Sequence, residues 1–260
     1  MLRIRFSNGL ILGGNEYKIQ APITGLDTPS VRNTDATYTG MDGGYMISQY
    51  YGHRTLVVKG FFNDLCPDGF DALRKGLISK CYLRYLMPIV VEDINDNYWF
   101  LSGYITDLKM DITSPKVGEY QITILCPDPL IYPTDSFTAS VPTVIENNLT
   151  VNGDTTVLRQ GDCDAYPVIT LTGEFTEPII TIGSSSFGLD LTTDNTSKIT
   201  IDMKNKTVKA LDGTSLAEYR LVDSRWLHLG QGANTINIET ASESDTGTAK
   251  LTYSAGYRGI

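Results

Sequence analysis

The amino-acid sequence predicts a mainly β protein. A β-sheet domain with one packed helix at about 67–80 and a hairpin arm comes first, and a β-sandwich follows. Three observations predict it. Apolar and polar residues alternate along many short runs, the period of a half-buried strand. One segment alone changes to steps of three and four. After Pro133 turn signals recur about every ten residues with no helical stretch, as in a sandwich.

The elements of the first half read in order. Leu2, Ile4 and Phe6 alternate with Arg3 and Arg5, and Asn8-Gly9 follows as a turn, which reads as a strand entering a hairpin. Residues 34–52 read as an extended hairpin arm. Asp42-Gly43-Gly44 supplies its turn, because Asp and Gly accept the positive φ of tight hairpins. RTLVVKGFF, residues 54–62, is a strand. Pro67 suits a first helical position, and Asp68 and Asp71 suit the positive end of a helix dipole. Phe70, Leu73, Leu77 and Cys81 then recur at helical spacing, with Gly76 inside at a cost of about 1 kcal/mol against Ala. Strands over 82–91 and 98–110 flank the turn Asn95-Asp96-Asn97. Over 119–126, Tyr120, Ile122, Ile124 and Cys126 share one face. Pro127, Pro129 and Pro133 then end the pattern, since proline cannot continue a sheet ladder. This divides the chain into domains 1–132 and 133–260.

The second half shows short strands at 149–151 and 156–158 around Asn152-Gly153, then at 167–172, 178–182, 198–203, 207–211, 235–239 and 248–253.

Composition excludes several functions. Net charge is −9; residues 1–132 carry 12 Lys/Arg against 14 Asp/Glu, and 133–260 carry 9 against 16. No basic run exists, so tight nucleic-acid binding is not expected. The segment MLRIRFSNGL lacks a long apolar stretch, so no secretory signal is expected. No run of about 18 apolar residues occurs, so no membrane span is expected. Cys66, Cys81, Cys126 and Cys163 form no CxxC pair and read as free thiols in a protein assembled in a cytoplasm.

Catalytic equipment is not visible. The two histidines, His53 and His228, fall in different proposed domains, too few and too far apart for a histidine metal site. No G-x-S-x-G elbow occurs, and Gly183-Ser184-Ser185-Ser186 reads as a turn. Asp42, Asp96, Asp154, Asp162, Asp164 and Asp212 lie in turn contexts that favour solvated carboxylates over a glycosidase pair. No catalytic residue, metal or cofactor is expected. Sugar binding stays open, since Tyr219, Arg225, Trp226 and His228 mix aromatic and polar groups in YRLVDSRWLH; Trp226 itself reads better as core, because most Trp in a small sandwich is largely buried.

Gly25-Leu26-Asp27-Thr28-Pro29 with Val31-Arg32-Asn33, then Asp42-Gly43-Gly44-Tyr45, Gly52 to Phe62, and YQITILCPDPLIY at 120–132 stand in an order that resembles the siphophage tail-component family, which includes distal tail proteins. YPVITLTGEF at 166–175, ITIDM at 199–203 and WLHLGQGAN at 226–234 resemble that family's galectin-like sandwich; Gln231 stands where the family often has proline. The resemblance implies a structural protein of the virion tail tip or baseplate, assembled in the host cytoplasm. It implies a homo-hexameric ring built by the N-terminal domains, with the sandwiches projecting outward. Such a ring links the tail tube protein to a tail-associated protein or fibre and to receptor-binding proteins, and DNA passes through its lumen. The resemblance supplies no catalytic residues.

Within that ring the arm becomes the expected oligomer contact, through Tyr38, Met41, Asp42, Gly43, Gly44, Tyr45, Met46 and Arg54. Tyr and Met are enriched at interfaces, whereas a free hairpin would carry more charge. The same side chains could instead cover their own domain's sheet. A carbohydrate-binding module for host wall polymer is the alternative function.

Overall fold

The computed structural model describes residues 2–260 except Gly40, Gly43, Leu65, Leu83 and Pro115, and excludes the side chains of Pro67 and Thr113. Two compact units result: the chain up to Pro142 together with Tyr257–Ile260, and Thr143–Gly256.

The first unit contains β1 (Arg3–Phe6), β2 (Ile11–Leu12), β3 (Tyr17–Thr24), β4 (Val31–Thr37), β5 (Gly44–Tyr51), β6 (Arg54–Asn63), α1 (Pro67–Cys81), β7 (Met87–Glu92), β8 (Tyr98–Ser114), β9 (Val117–Cys126) and β10 (Tyr132–Thr134). One sheet runs β10-β8-β7-β1-β2-β3-β6-β9. The long β8 pairs with β7 through Tyr98–Gly103 and with β9 through Tyr104–Ser114, so the sheet closes on itself. Closure removes most of the unpaired edge that an open sheet would expose. Period-two alternation fills the interior: Ile4 and Phe6 from β1, Leu56, Val58 and Phe62 from β6, and Ile122 and Ile124 from β9 are buried. Each such side chain contributes about 1.5–3 kcal/mol on burial.

The expected helix forms, with its apolar stripe on this core. Phe70, Leu77 and Cys81 are buried, and the Phe70 ring stacks on Phe62 at 5.1 Å. Gly76 has a reason. The Tyr17 hydroxyl crosses it to donate to the Leu73 carbonyl at 2.9 Å, and a Cβ there would lie 3.1 Å from that oxygen. The strand expected over 82–91 begins only at Met87, because Tyr82 closes the helix by donating its N–H to the Ile78 carbonyl. Beside it Glu92 is buried; the hydrogen bond from Arg3 holds its carboxyl below the usual range against the opposing effect of burial.

The second unit is a sandwich of two antiparallel sheets. Its strands are β11 (Ile145–Leu149), β12 (Gly153–Arg159), β13 (Val168–Thr172), β14 (Ile179–Ile182), β15 (Ser185–Gly188), β16 (Lys198–Asp202), β17 (Thr207–Ala210), β18 (Gly232–Glu239) and β19 (Thr248–Tyr253). One sheet runs β11-β19-β13-β16-β17 and the other β12-β18-β14-β15. Leu171, Phe175, Ile180, Phe187, Ile201, Ile236 and Leu251 belong to the core. Asn152, with φ of +53°, therefore carries the chain from one sheet to the other. Gly183-Ser184 is the two-residue turn between β14 and β15, and the strand resumes at Ser185.

Candidate assembly interface

Among the described residues β4 and β5 pair only with each other, as a two-stranded ribbon outside the closed sheet. The register shifts between Thr34 and Asp35, which leaves Ile47 as the extra residue of a bulge. Nearly every residue on both strands is exposed, so neither face rests on a core. An isolated two-stranded hairpin is marginal in water. Yet this one carries large apolar side chains: Met41 is 71% exposed and Tyr50 66%, with Tyr38, Tyr45, Met46 and Ile47 also open. The Tyr38 and Tyr45 rings lie 5.5 Å apart beside the tip. Arg32, Asp35 and Asp42 are the charged residues between Val31 and Tyr51. Aromatic and Met side chains with few charges are the composition of an interface centre.

Among the expected contacts, Tyr38, Met41, Asp42, Tyr45 and Met46 stand on this ribbon or its tip. Gly44 opens β5 rather than forming the turn. Gly43 lies outside the described residues. Arg54 departs from expectation: at 2% exposure it cannot reach a neighbouring subunit. It occupies an inward position of β6, in phase with Leu56 and Val58, and its guanidinium donates to four carbonyl oxygens. Sequence reasoning also missed Val31 and Ile47, whose β-branched side chains read as ordinary strand residues.

Of the four residues proposed for glycan contact, Tyr219 lines the cleft described below, and Arg225, Trp226 and His228 are not among its lining residues. Trp226 is half-buried against the sandwich core, its ring 5.0 Å from Phe187 and under the Arg220 guanidinium at 5.5 Å. His228 faces the Tyr166 ring at 6.2 Å. Arg225 is exposed elsewhere on the loop. Tyr219 lines an open cleft of about 600 Å³ with Leu191, Thr192, Lys198, Leu211 and Asp212. The backbone N–H of Thr214 holds the Asp212 carboxyl below its usual range. Three cleft hydroxyls are already engaged: Thr193 donates to the Gly173 carbonyl, and Thr196 and Ser197 donate to Asp194. Among the described residues no cluster of three His, Cys, Asp or Glu could hold a metal ion, and no helix is long and apolar enough to cross a membrane.

Residues 160–257 match the family model of the siphovirus-type tail component, C-terminal domain. The whole chain has the fold of the Dit protein (gp 19.1) of phage SPP1, described as a paradigm of the hub adsorption apparatus in phages infecting Gram-positive bacteria. The TM-score is 0.77 at 16% identity, covering 98% of this chain and 99% of that one. The baseplate of phage P2 in its activated conformation with Ca gives a TM-score of 0.45 at 8% identity, over 97% of this chain and 98% of that one. No curated protein sequence matches it.

Proposed function

We propose that this chain is the hub of a long-tailed phage's tail tip, a homo-hexameric ring closed by the β4–β5 arm. The observation that carries the reading is the pairing of a tail-component sandwich with an arm whose apolar side chains have no cover within the subunit. A neighbouring copy would supply that cover. In such a ring the first unit links the tail tube protein above to a tail-associated protein, fibre or receptor-binding protein below, and DNA passes through the lumen. The sandwich projects outward as a docking scaffold in the virion. The role is structural, with no catalysis and no cofactor. The expected result is a closed ring of six subunits in negative-stain images and a matching mass by light scattering. A monodisperse monomer at high concentration would sink the ring.

One observation favours a second reading, in which the sandwich binds host wall polymer. The cleft beside Tyr219 has an aromatic wall, an ammonium at Lys198 and an apolar floor at Leu191 and Leu216. Calorimetry of the full chain against wall fragments tests it, and no heat of binding would remove it.

A further inference from the structure

The arm is a ribbon with little of its own to hold its direction, so whatever grips its root decides where its apolar residues point. The root is the pair of segments entering β4 and leaving β5. Ser30 and Gly52 join them, through a hydrogen bond of 2.7 Å from the Gly52 N–H to the Ser30 carbonyl. Two further groups meet there, one from β6 and one from the far end of the sequence.

Arg54 is the first. Its Nη1 donates to the carbonyls of Gly25 and Asp27, both at 2.5 Å, its Nε to Pro129 at 2.8 Å, and its Nη2 to Arg258 at 2.6 Å. A buried guanidinium is tolerated only with its donors satisfied, and its planar fork of five N–H groups reaches four carbonyls here, one more than the three donors of a Lys ammonium could satisfy. Gly25 itself sits at φ +90°, where a Cβ would lie 2.0 Å from the Thr55 carbonyl, so the backbone is pressed against β6.

The segment Tyr257–Ile260 is the second. It returns to the first unit after the sandwich. Tyr257 exchanges two backbone hydrogen bonds with Ile131, at 2.8 and 2.9 Å, and sets its ring edge-on to Trp99 at 5.5 Å. Ile260 donates to the Leu26 carbonyl at 3.1 Å, ahead of β4. Arg258 donates to the Tyr51 hydroxyl at 3.3 Å, at the end of β5. One short segment thus contacts the chain that leads into β4 and the last residue of β5.

We propose that Arg54 and Tyr257–Ile260 form a latch that positions the arm for ring closure. The Arg54 to Arg258 hydrogen bond spans 204 positions in sequence. During synthesis the root is therefore completed only after the sandwich has been made, since chains emerge N-terminal end first. Ring assembly waits for a chain that has reached this segment. This rests on the ring reading above, but the latch has its own readout.

The test uses the full chain, a variant lacking residues 258–260, and Arg54→Lys, each first checked for folding by circular dichroism. Hydrogen exchange is followed at the arm root, 25–33 and 50–54, and at β9, with subunits dilute enough to be monomeric. Assembly is then followed by light scattering on concentration. The expected result is exchange at the root about tenfold faster in both variants with β9 unchanged, and assembly shifted to at least about tenfold higher concentration. Unchanged root exchange overturns the latch. So does loss of β9 protection together with the root, which would make the contact a general stabiliser. If the wild type never assembles, the ring reading fails while root exchange still decides the latch.

Discussion

Arg54 and Trp226 show how a residue's role follows from phase and neighbours. Arg54 shares the inward phase of Leu56, Val58 and Phe62 along β6, so its burial was legible in the alternation. Its charge argued for the surface, and only four carbonyls arriving from distant segments made the inward position affordable. Trp226 was ambiguous for the opposite reason: indole suits both a core and a sugar platform. Phe187 and Arg220 cover its ring, which leaves little area for a ligand. We expect Trp226→Ala to destabilise the sandwich by about 2–4 kcal/mol, at or below the range of a fully buried aromatic. Urea unfolding measures this. Any wall fragment that binds at the cleft should keep its affinity in Trp226→Ala and lose it in Tyr219→Ala. A Trp226 variant with full stability and lost binding would restore the platform role.

At the scale of elements, strands and helix were legible because their periods repeat within a few residues. The helix over 67–80 is found at Pro67–Cys81, and the alternation over 119–126 at Val117–Cys126. The arm was legible as a hairpin, expected over 34–52 and formed by Val31–Thr37 and Gly44–Tyr51. Its lack of cover was not, because the same Tyr and Met pattern could have folded onto its own sheet. Deleting residues 36–48 and bridging the ends with a short Gly-Ser linker removes the tip and most apolar area of the ribbon. The closed sheet should persist, since β4 and β5 pair with none of its strands. A folded monomer is the expected outcome, by circular dichroism for the fold and light scattering for the mass. A hexamer that survives the deletion would show that the arm does not close the ring.

For the whole molecule, charge is the property that bears on the proposed passage of DNA. Net charge is −9, and no basic run interrupts it. A passage for a polyanion works by not holding it, because phosphate binding grows with each Lys or Arg that displaces counterions. Fluorescence anisotropy with duplex DNA at about 0.15 M salt should therefore show no binding. Micromolar, salt-sensitive binding would mean a basic surface gathered by the fold, and a lumen that grips rather than passes DNA.

The sequence by itself determined the mainly β class, the position of helix α1 and most turns. Each of these depends on residues two to four apart, whose spacing is printed in the chain. The tertiary structure alone decided the closure of β8 onto β9, the placement of β11 and β12 in different sheets, and the return of Tyr257–Ile260 to the first unit. It also decided which surfaces of the arm stay bare. These outcomes depend on pairings between residues tens to hundreds of positions apart, which leave no local period to read.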